Sequence, residues 1–140
     1  MNYWIFQCKK ERFDISEPHI LFDGMIGWWT ANQYRSEMRP GDMVFFWLAG
    51  DKKYRGIYGI GELTSTPYQW EQENNKSFSV NIKCNKRLNP YLPANEIQKN
   101  KALLNLQILN MPMGSNFLLN ELEGRIIEGM TEKHIDGCIS

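Results

Sequence analysis

Two histidines and three cysteines are all that this 140-residue chain offers as soft metal ligands. His19 and His134 are far from any cysteine at ligand spacing, and Cys-x-x-Cys does not occur, so a structural metal is not expected. Cys8, Cys84 and Cys138 are odd in number and scattered, which excludes a disulfide framework and suits reduced thiols. None of them is set in a nucleophile motif with a base and an orienting carboxylate, and no acid–base pair stands out, so no catalytic residue and no cofactor is assigned. The chain also lacks net charge: sixteen basic residues balance sixteen acidic ones. Strong non-specific binding to nucleic acid is thereby excluded, and any such affinity must come from a local patch or a specific pocket. Apolar runs such as Met43 to Gly50 are too short to span a bilayer. The first residues show neither a basic leader nor a signal-peptide core, and a cytoplasmic protein is the expectation.

Aromatic side chains are abundant: five Trp, six Tyr and seven Phe, thirteen of them by Tyr58. Hydrophobic residues at 42% and charged residues at 23% are ordinary for one globular domain, and 140 residues can bury a sufficient core. We read one domain over residues 1–131 and a frayed tail over 132–140. Tyr3 to Cys8 has strand composition, and a loop carrying Asp14, Pro18, Asp23 and Gly24 follows and delivers Trp28 and Trp29. Thr30 is an N-cap candidate for a short helix through Tyr34 and Met38, ended by Pro40-Gly41-Asp42. Met43 to Leu48 and Gly56 to Leu63, joined by Gly50-Asp51-Lys52-Lys53, predict a hairpin. Phe78, Val80, Ile82 and Cys84 alternate with polar residues as in a half-buried strand, preceded by a polar hairpin loop over Glu71 to Lys76. Pro93 opens a helix to about Lys99 and Lys101 to Leu106 forms a second. Asn120 and Glu123 form a capping box, with Leu118, Leu122, Ile126 and Met130 on one helical face. This order is not βαβ alternation. It predicts an α+β fold with a mostly antiparallel, curled sheet closed by helices.

Gly56-x-x-Gly59-x-Gly61 reverses the dinucleotide fingerprint and no helix follows it, so the glycines are read as bulges or close approaches. The tryptophans are more informative. Trp28 and Trp29 are adjacent and cannot both face inward, and Trp47 is in a run bulky on both faces, so at least one should line a cavity. A flat aromatic wall stacks on a nucleobase for roughly 1–3 kcal/mol. Basic residues recur beside these segments, and Arg12, Arg35, Lys53 and Arg87 are candidate phosphate contacts.

Four segments in order then carry a resemblance: Tyr3-Trp4-Ile5-Phe6, Trp28-Trp29-Thr30-Ala31-Asn32-Gln33-Tyr34-Arg35, Pro40-Gly41-Asp42-Met43-Val44-Phe45-Phe46-Trp47 and Gly56-Ile57-Tyr58-Gly59-Ile60-Gly61-Glu62. Pro112-Met113-Gly114-Ser115-Asn116-Phe117-Leu118-Leu119 adds a fifth. Together, over residues 2 to 130, they resemble the EVE domain. The chain departs from the usual family pattern at Gln33, Met113, Ser115, Leu118 and Asn120. The resemblance implies a PUA-like pseudobarrel, related to PUA, ASCH and YTH domains, that is not an enzyme and reads a modified base, such as 5-methylcytosine in DNA. It places Trp28, Trp29, Thr30 and Trp47 at the base, with Gly114, Ser115, Asn116 and Phe117 as the adjoining loop. It also implies a nuclease or restriction-system partner, and a monomer is expected. A modified RNA or tRNA reader, a nucleoside binder and a protein-interaction module remain as alternatives.

Overall fold

The computed structural model describes residues 1–72 and 75–135, and the side chains of residues 70–72 and 75–76 are left aside. The middle of the expected polar hairpin loop, Cys138 and residues 136–140 of the expected tail are outside the described residues. Seven strands form one sheet: β1 (Tyr3–Lys9), β2 (Ile26–Thr30), β3 (Met43–Ala49), β4 (Gly56–Leu63), β5 (Tyr68–Gln72), β6 (Asn75–Pro93) and β7 (Asn116–Leu119). Helices α1 (Ala94–Gln98), α2 (Gln107–Asn110) and α3 (Glu121–Glu132) and two 3-10 turns, Arg35–Glu37 and Lys101–Leu103, complete the chain.

The strand order is β2-β6-β4-β3-β1-β7, with β5 added along β6. Among the described residues only β1 and β3 pair in parallel, and the other strand pairs are antiparallel. The sheet curls strongly into the half-barrel of a PUA-like fold. Register shifts between Phe46 and Trp47, between Ile57 and Gly59, and between Ile60 and Gly61 help it bend. At Gly61 the backbone of β6 comes so close that a Cβ would fall on the Lys83 carbonyl oxygen, which is why the position is glycine.

Alternation along β1 and β3 sorts the core into two layers. Trp4, Phe6, Cys8, Val44, Phe46 and Leu48 face the inside of the curl, together with Trp29, Val80, Ile82 and Cys84. Tyr3, Ile5, Phe45 and Trp47 face the other side, where Ile97, Leu103, Ile108 and Ile127 of the helical segments cover them. The capping box at Asn120 and Glu123 is present in both directions. The buried centre of α3 is Gly124, Ile127 and Thr131; of the expected face Ile126 and Met130 are partly buried against the core, whereas Leu122 is 61% exposed. The reason is Tyr3, whose ring lies where a side chain at position 124 would be, so the helix presses down on its glycine side. Beyond α3, Ile135 bridges to Leu88 and the His134 carbonyl accepts from Asn89 N, so the chain up to Ile135 docks on β6.

Two local expectations are corrected. Trp28 and Trp29 are in strand β2 rather than in a loop, because β2 pairs with Asn81 and Val80 of β6, some fifty residues away. The helix expected from Thr30 is only the 3-10 turn Arg35–Glu37, with Tyr34 left-handed at φ 56°. Thr30 is instead the last residue of β2, paired with Ser79, and Ala31 N continues the ladder to Phe78 O, so the strand runs through the expected start of the helix.

Candidate nucleic-acid interface

β2 and β7 are the two ends of the sheet order, and the curl brings the segment after β2 against the start of β7. One side chain closes that seam. Asn116, fully buried at the start of β7, accepts from Asn32 N at 3.2 Å and Gln33 N at 3.3 Å and donates through Nδ2 to Gln33 O at 2.7 Å. It does for the strap Ala31–Gln33 what a strand ladder does elsewhere, satisfying main-chain groups that would otherwise be orphaned. Ser115 Oγ is 3.2 Å from Asn116 Oδ1, and Ser115 O accepts from Gln7 N at 2.8 Å. Gln7 Nε2 also donates to Gly114 O at 2.7 Å, and Gly114 takes a left-handed φ of 118°, so this loop is fastened to β1.

Trp29 faces into the curl beside this seam, with its ring centroid 5.2 Å from that of Phe46 and 5.7 Å from that of Phe13, which meets it edge-on. Its Nε1 donates to Cys8 Sγ at 3.2 Å. Phe13 is 38% exposed, so this loop aromatic covers one side of the inner tryptophan and itself meets solvent. Strand alternation sends Trp28 the opposite way, to the outer surface at 59% exposure, and Thr30 is half-buried at the strand end. Adjacent tryptophans therefore serve opposite faces, as their adjacency required.

Trp47 and Phe117 do not join this arrangement. Both are buried in the helix-side layer, because alternation on β3 and β7 turns them away from the inside of the curl. Trp47 has no face open to a ligand and acts as core. Arg87 likewise does not offer its guanidinium to a phosphate: Nη1 donates to Ile15 O and Leu21 O at 2.9 Å and Nη2 to Ser16 O at 2.6 Å. With Arg87 N bound to Asp23 Oδ1, it pins the long loop between β1 and β2 that carries Phe13. Asn116, expected as a base contact, has its amide occupied by the strap.

Arg12, Arg35 and Lys53 are exposed and form no ion pair among the described residues. Arg35 Cζ is 3.7 Å from the Phe78 ring centroid and Nη1 donates to Asn32 O at 3.4 Å, which holds the guanidinium beside the strap. Parallel pairing of β1 with β3 sets Lys9 opposite Ala49, so Lys9, Lys10 and Arg12 sit beside Lys52, Lys53 and Arg55 of the β3–β4 turn. Six basic residues against Glu11, Asp14 and Asp51 make this end locally positive on a neutral chain. An open concavity of about 460 Å³ lined by Pro93, Asn95, Glu96, Gln98 and Lys99 is on the α1 side and has no aromatic wall, so it is not this site.

The thiols inside the curl are inert. Burial pushes Cys84 up to about 12 and Cys8 up to about 11, the latter partly offset by the Trp29 hydrogen bond. Both stay protonated at neutral pH and cannot act as nucleophiles there. In a Cys138→Ser variant, a thiol reagent at pH 8 should leave the native protein unlabelled and modify two groups once urea unfolds it. Because the folded values are raised, these thiols favour folding at lower pH, and stability should fall as pH climbs from about 9 through 11. Rapid native labelling would contradict this placement.

Sequence reasoning did not anticipate Gln7, Asp42 or the structural role of Arg87. For Asp42 the signal was present in Pro40-Gly41-Asp42, since an acidic residue inside an apolar strand start needs buried donors.

The family model of the EVE domain matches residues 2–130. Among curated protein sequences none matches this chain. Solved structures similar to it include a hypothetical protein from Leishmania major, at 20% identity and TM-score 0.75, covering 95% of this chain and 96% of that one. The human THYN1 protein in complex with 5-methylcytosine-containing DNA is similar at 17% identity and TM-score 0.70, covering 94% and 98%. The YTH domain of Zygosaccharomyces rouxii MRB1 in complex with N6-methyladenosine RNA is similar at 8% identity and TM-score 0.57, covering 99% and 88%.

Proposed function

Because this chain belongs to the EVE domain family, we propose that it is a binding module that holds one modified base of a nucleic acid, a 5-substituted cytosine in DNA such as 5-methylcytosine, at the seam between its two sheet edges. The observation that carries the reading is the seam itself, an inward tryptophan covered by one half-exposed phenylalanine, beside a strap and a loop whose main chains are fixed by Asn116 and Gln7. Displacing Phe13 uncovers the side of the Trp29 ring that it covers, and a base entering there stacks on the indole while Ser115 and the Gly114 main chain face its edge and Thr30, on the Trp28 side of the strand, borders the mouth. Asn116 contributes by fixing the strap. Trp28, on the outer surface, stacks on a neighbouring base. Extruding a base costs a few kcal/mol, which stacking and edge hydrogen bonds at a preorganised site return.

Arg12, Arg35 and Lys53 supply the phosphate contacts, and the positive end beside β1 supports this. With zero net charge, affinity is modest and salt-sensitive. We read it as a module that binds without catalysis, in line with its EVE family. No helix of the described residues is long and apolar enough to cross a membrane. We place the protein in the cytoplasm as a monomer, working beside a nuclease or restriction component.

The similarity to a YTH domain bound to modified RNA favours a second reading, in which the base belongs to RNA or tRNA. Titrating DNA and RNA probes, single-stranded and duplex, with unmodified, 5-methyl or 5-hydroxymethyl cytosine or N6-methyladenosine, at two salt concentrations, separates the two. Preference for one modified DNA probe, weakening at higher salt, is the expected result. Preference for a modified RNA probe selects the second reading, and a free nucleoside bound as tightly as any polymer makes the protein a nucleoside binder.

A further inference from the structure

The loop before β7 is built unlike an ordinary solvent loop. Gln7 Nε2 donates to Pro112 O at 3.3 Å and Gly114 O at 2.7 Å, Gln7 N donates to Ser115 O at 2.8 Å, and Met113 N donates to Met111 O at 2.8 Å. Main chain braced in this way would suit polar side chains facing water. It carries instead Met111, 63% exposed, and Met113, 78% exposed, on either side of Pro112. Scattered exposed apolar residues need no explanation, but two on one braced turn beside a candidate binding site do. Gly114 adjoins Gln33 of the strap, where a Cβ would be 3.5 Å from Nε2, so the turn stands at the mouth of the seam.

We propose that Met113 is a wedge that enters the base stack of double-stranded DNA and fills the space left by the base held in the seam. This rests on the base-reader function above. A wedge must be apolar, slender and supported from behind, because it replaces stacking contacts in a gap about one base thick. An unbranched thioether on a turn fixed by four hydrogen bonds meets all three demands. The wedge contributes only where a stack has to be opened. In a single strand the base is already accessible, so Met113 sets the preference for duplex over single strand without touching the modified base.

The test uses the full chain with one modified cytosine either in a duplex or in the same strand alone. Since Met113 is exposed, Met113→Ala should fold with an unchanged melting curve. It should weaken duplex binding about tenfold or more and single-strand binding by less than about twofold. Met113→Leu, still apolar and of similar volume, should keep duplex binding. Equal weakening on both probes, or no weakening on the duplex, overturns the wedge. A wild-type protein that binds the modified single strand but no duplex overturns the wedge and leaves the reader standing, whereas one that binds neither overturns both.

Discussion

Asn116→Ala is expected to lower folding stability by about 3 kcal/mol and to abolish most modified-base binding. The side chain is fully buried, and its removal strands two backbone donors and one acceptor of the strap at once. Each stranded, part-buried group costs toward the lower end of about 1–3 kcal/mol, less than additively, because the freed strap relaxes into water. That relaxation harms binding: Thr30, Gln33 and the left-handed Tyr34 lose the geometry that the clasp imposes. Asn116→Asp separates the two halves of the effect. A carboxylate still accepts from Asn32 N and Gln33 N but meets Gln33 O with a second acceptor, so the loss should be at least as large unless the acid is protonated. Urea denaturation with titration of a modified probe on the still-folded fraction checks both parts. A variant as stable as the wild type would show that the seam is not closed by this residue.

Asp42→Ala is expected to cost about as much, near 3 kcal/mol, with a fall in melting temperature of about 10 °C for a chain of this size. Its carboxylate, only 3% exposed, accepts from Trp4 Nε1 at 3.0 Å, Asn2 N at 3.0 Å and Arg39 N at 3.1 Å. One group thus joins the start of β1, the indole that fills the inner core, and the turn leading into β3. Alanine leaves three donors without a partner, while Asp42→Asn keeps one acceptor oxygen and should lose about half as much. Probe binding well below the melting temperature should fall less than in Asn116→Ala, since Asp42 does not touch the strap clasp. Calorimetry on the three proteins decides it, and an Asp42→Ala melting point within about 3 °C of the wild type would remove Asp42 from this role.

The parts of this fold that were legible in the sequence are those set by neighbours along the chain. The capping box needs only Asn120 and Glu123, the β3–β4 hairpin only its two apolar runs and turn, and the inward Cys84 only the alternation from Phe78. Where distant partners decide, local reading failed. Trp28 and Trp29 form a strand because β6 is there to pair with them. Thr30 starts no helix because it ends β2, paired with Ser79 almost fifty residues on, and Ala31 N donates to Phe78 O. Leu122 is exposed because Tyr3 occupies the space above Gly124. The same division holds for the site. Trp29 and the Gly114–Asn116 loop stood out by residue type and order, and the resemblance drew them together. That Trp47 belongs to the opposite layer follows from the register of β3, and that Arg87 is spent on Ile15, Ser16 and Leu21 follows from how the long loop folds back. Neither fact has a local signature.

The most direct test of the account is the ratio of affinities for a modified and an unmodified DNA probe of identical sequence, measured for the wild type and for Trp29→Ala. A base that stacks on Trp29 should give a wild-type preference for the modified probe of about tenfold or more, and the variant, if still folded, should bind both probes alike, with the loss falling on the modified one. A folded Trp29→Ala variant that keeps the full preference would contradict the placement of the base at the seam.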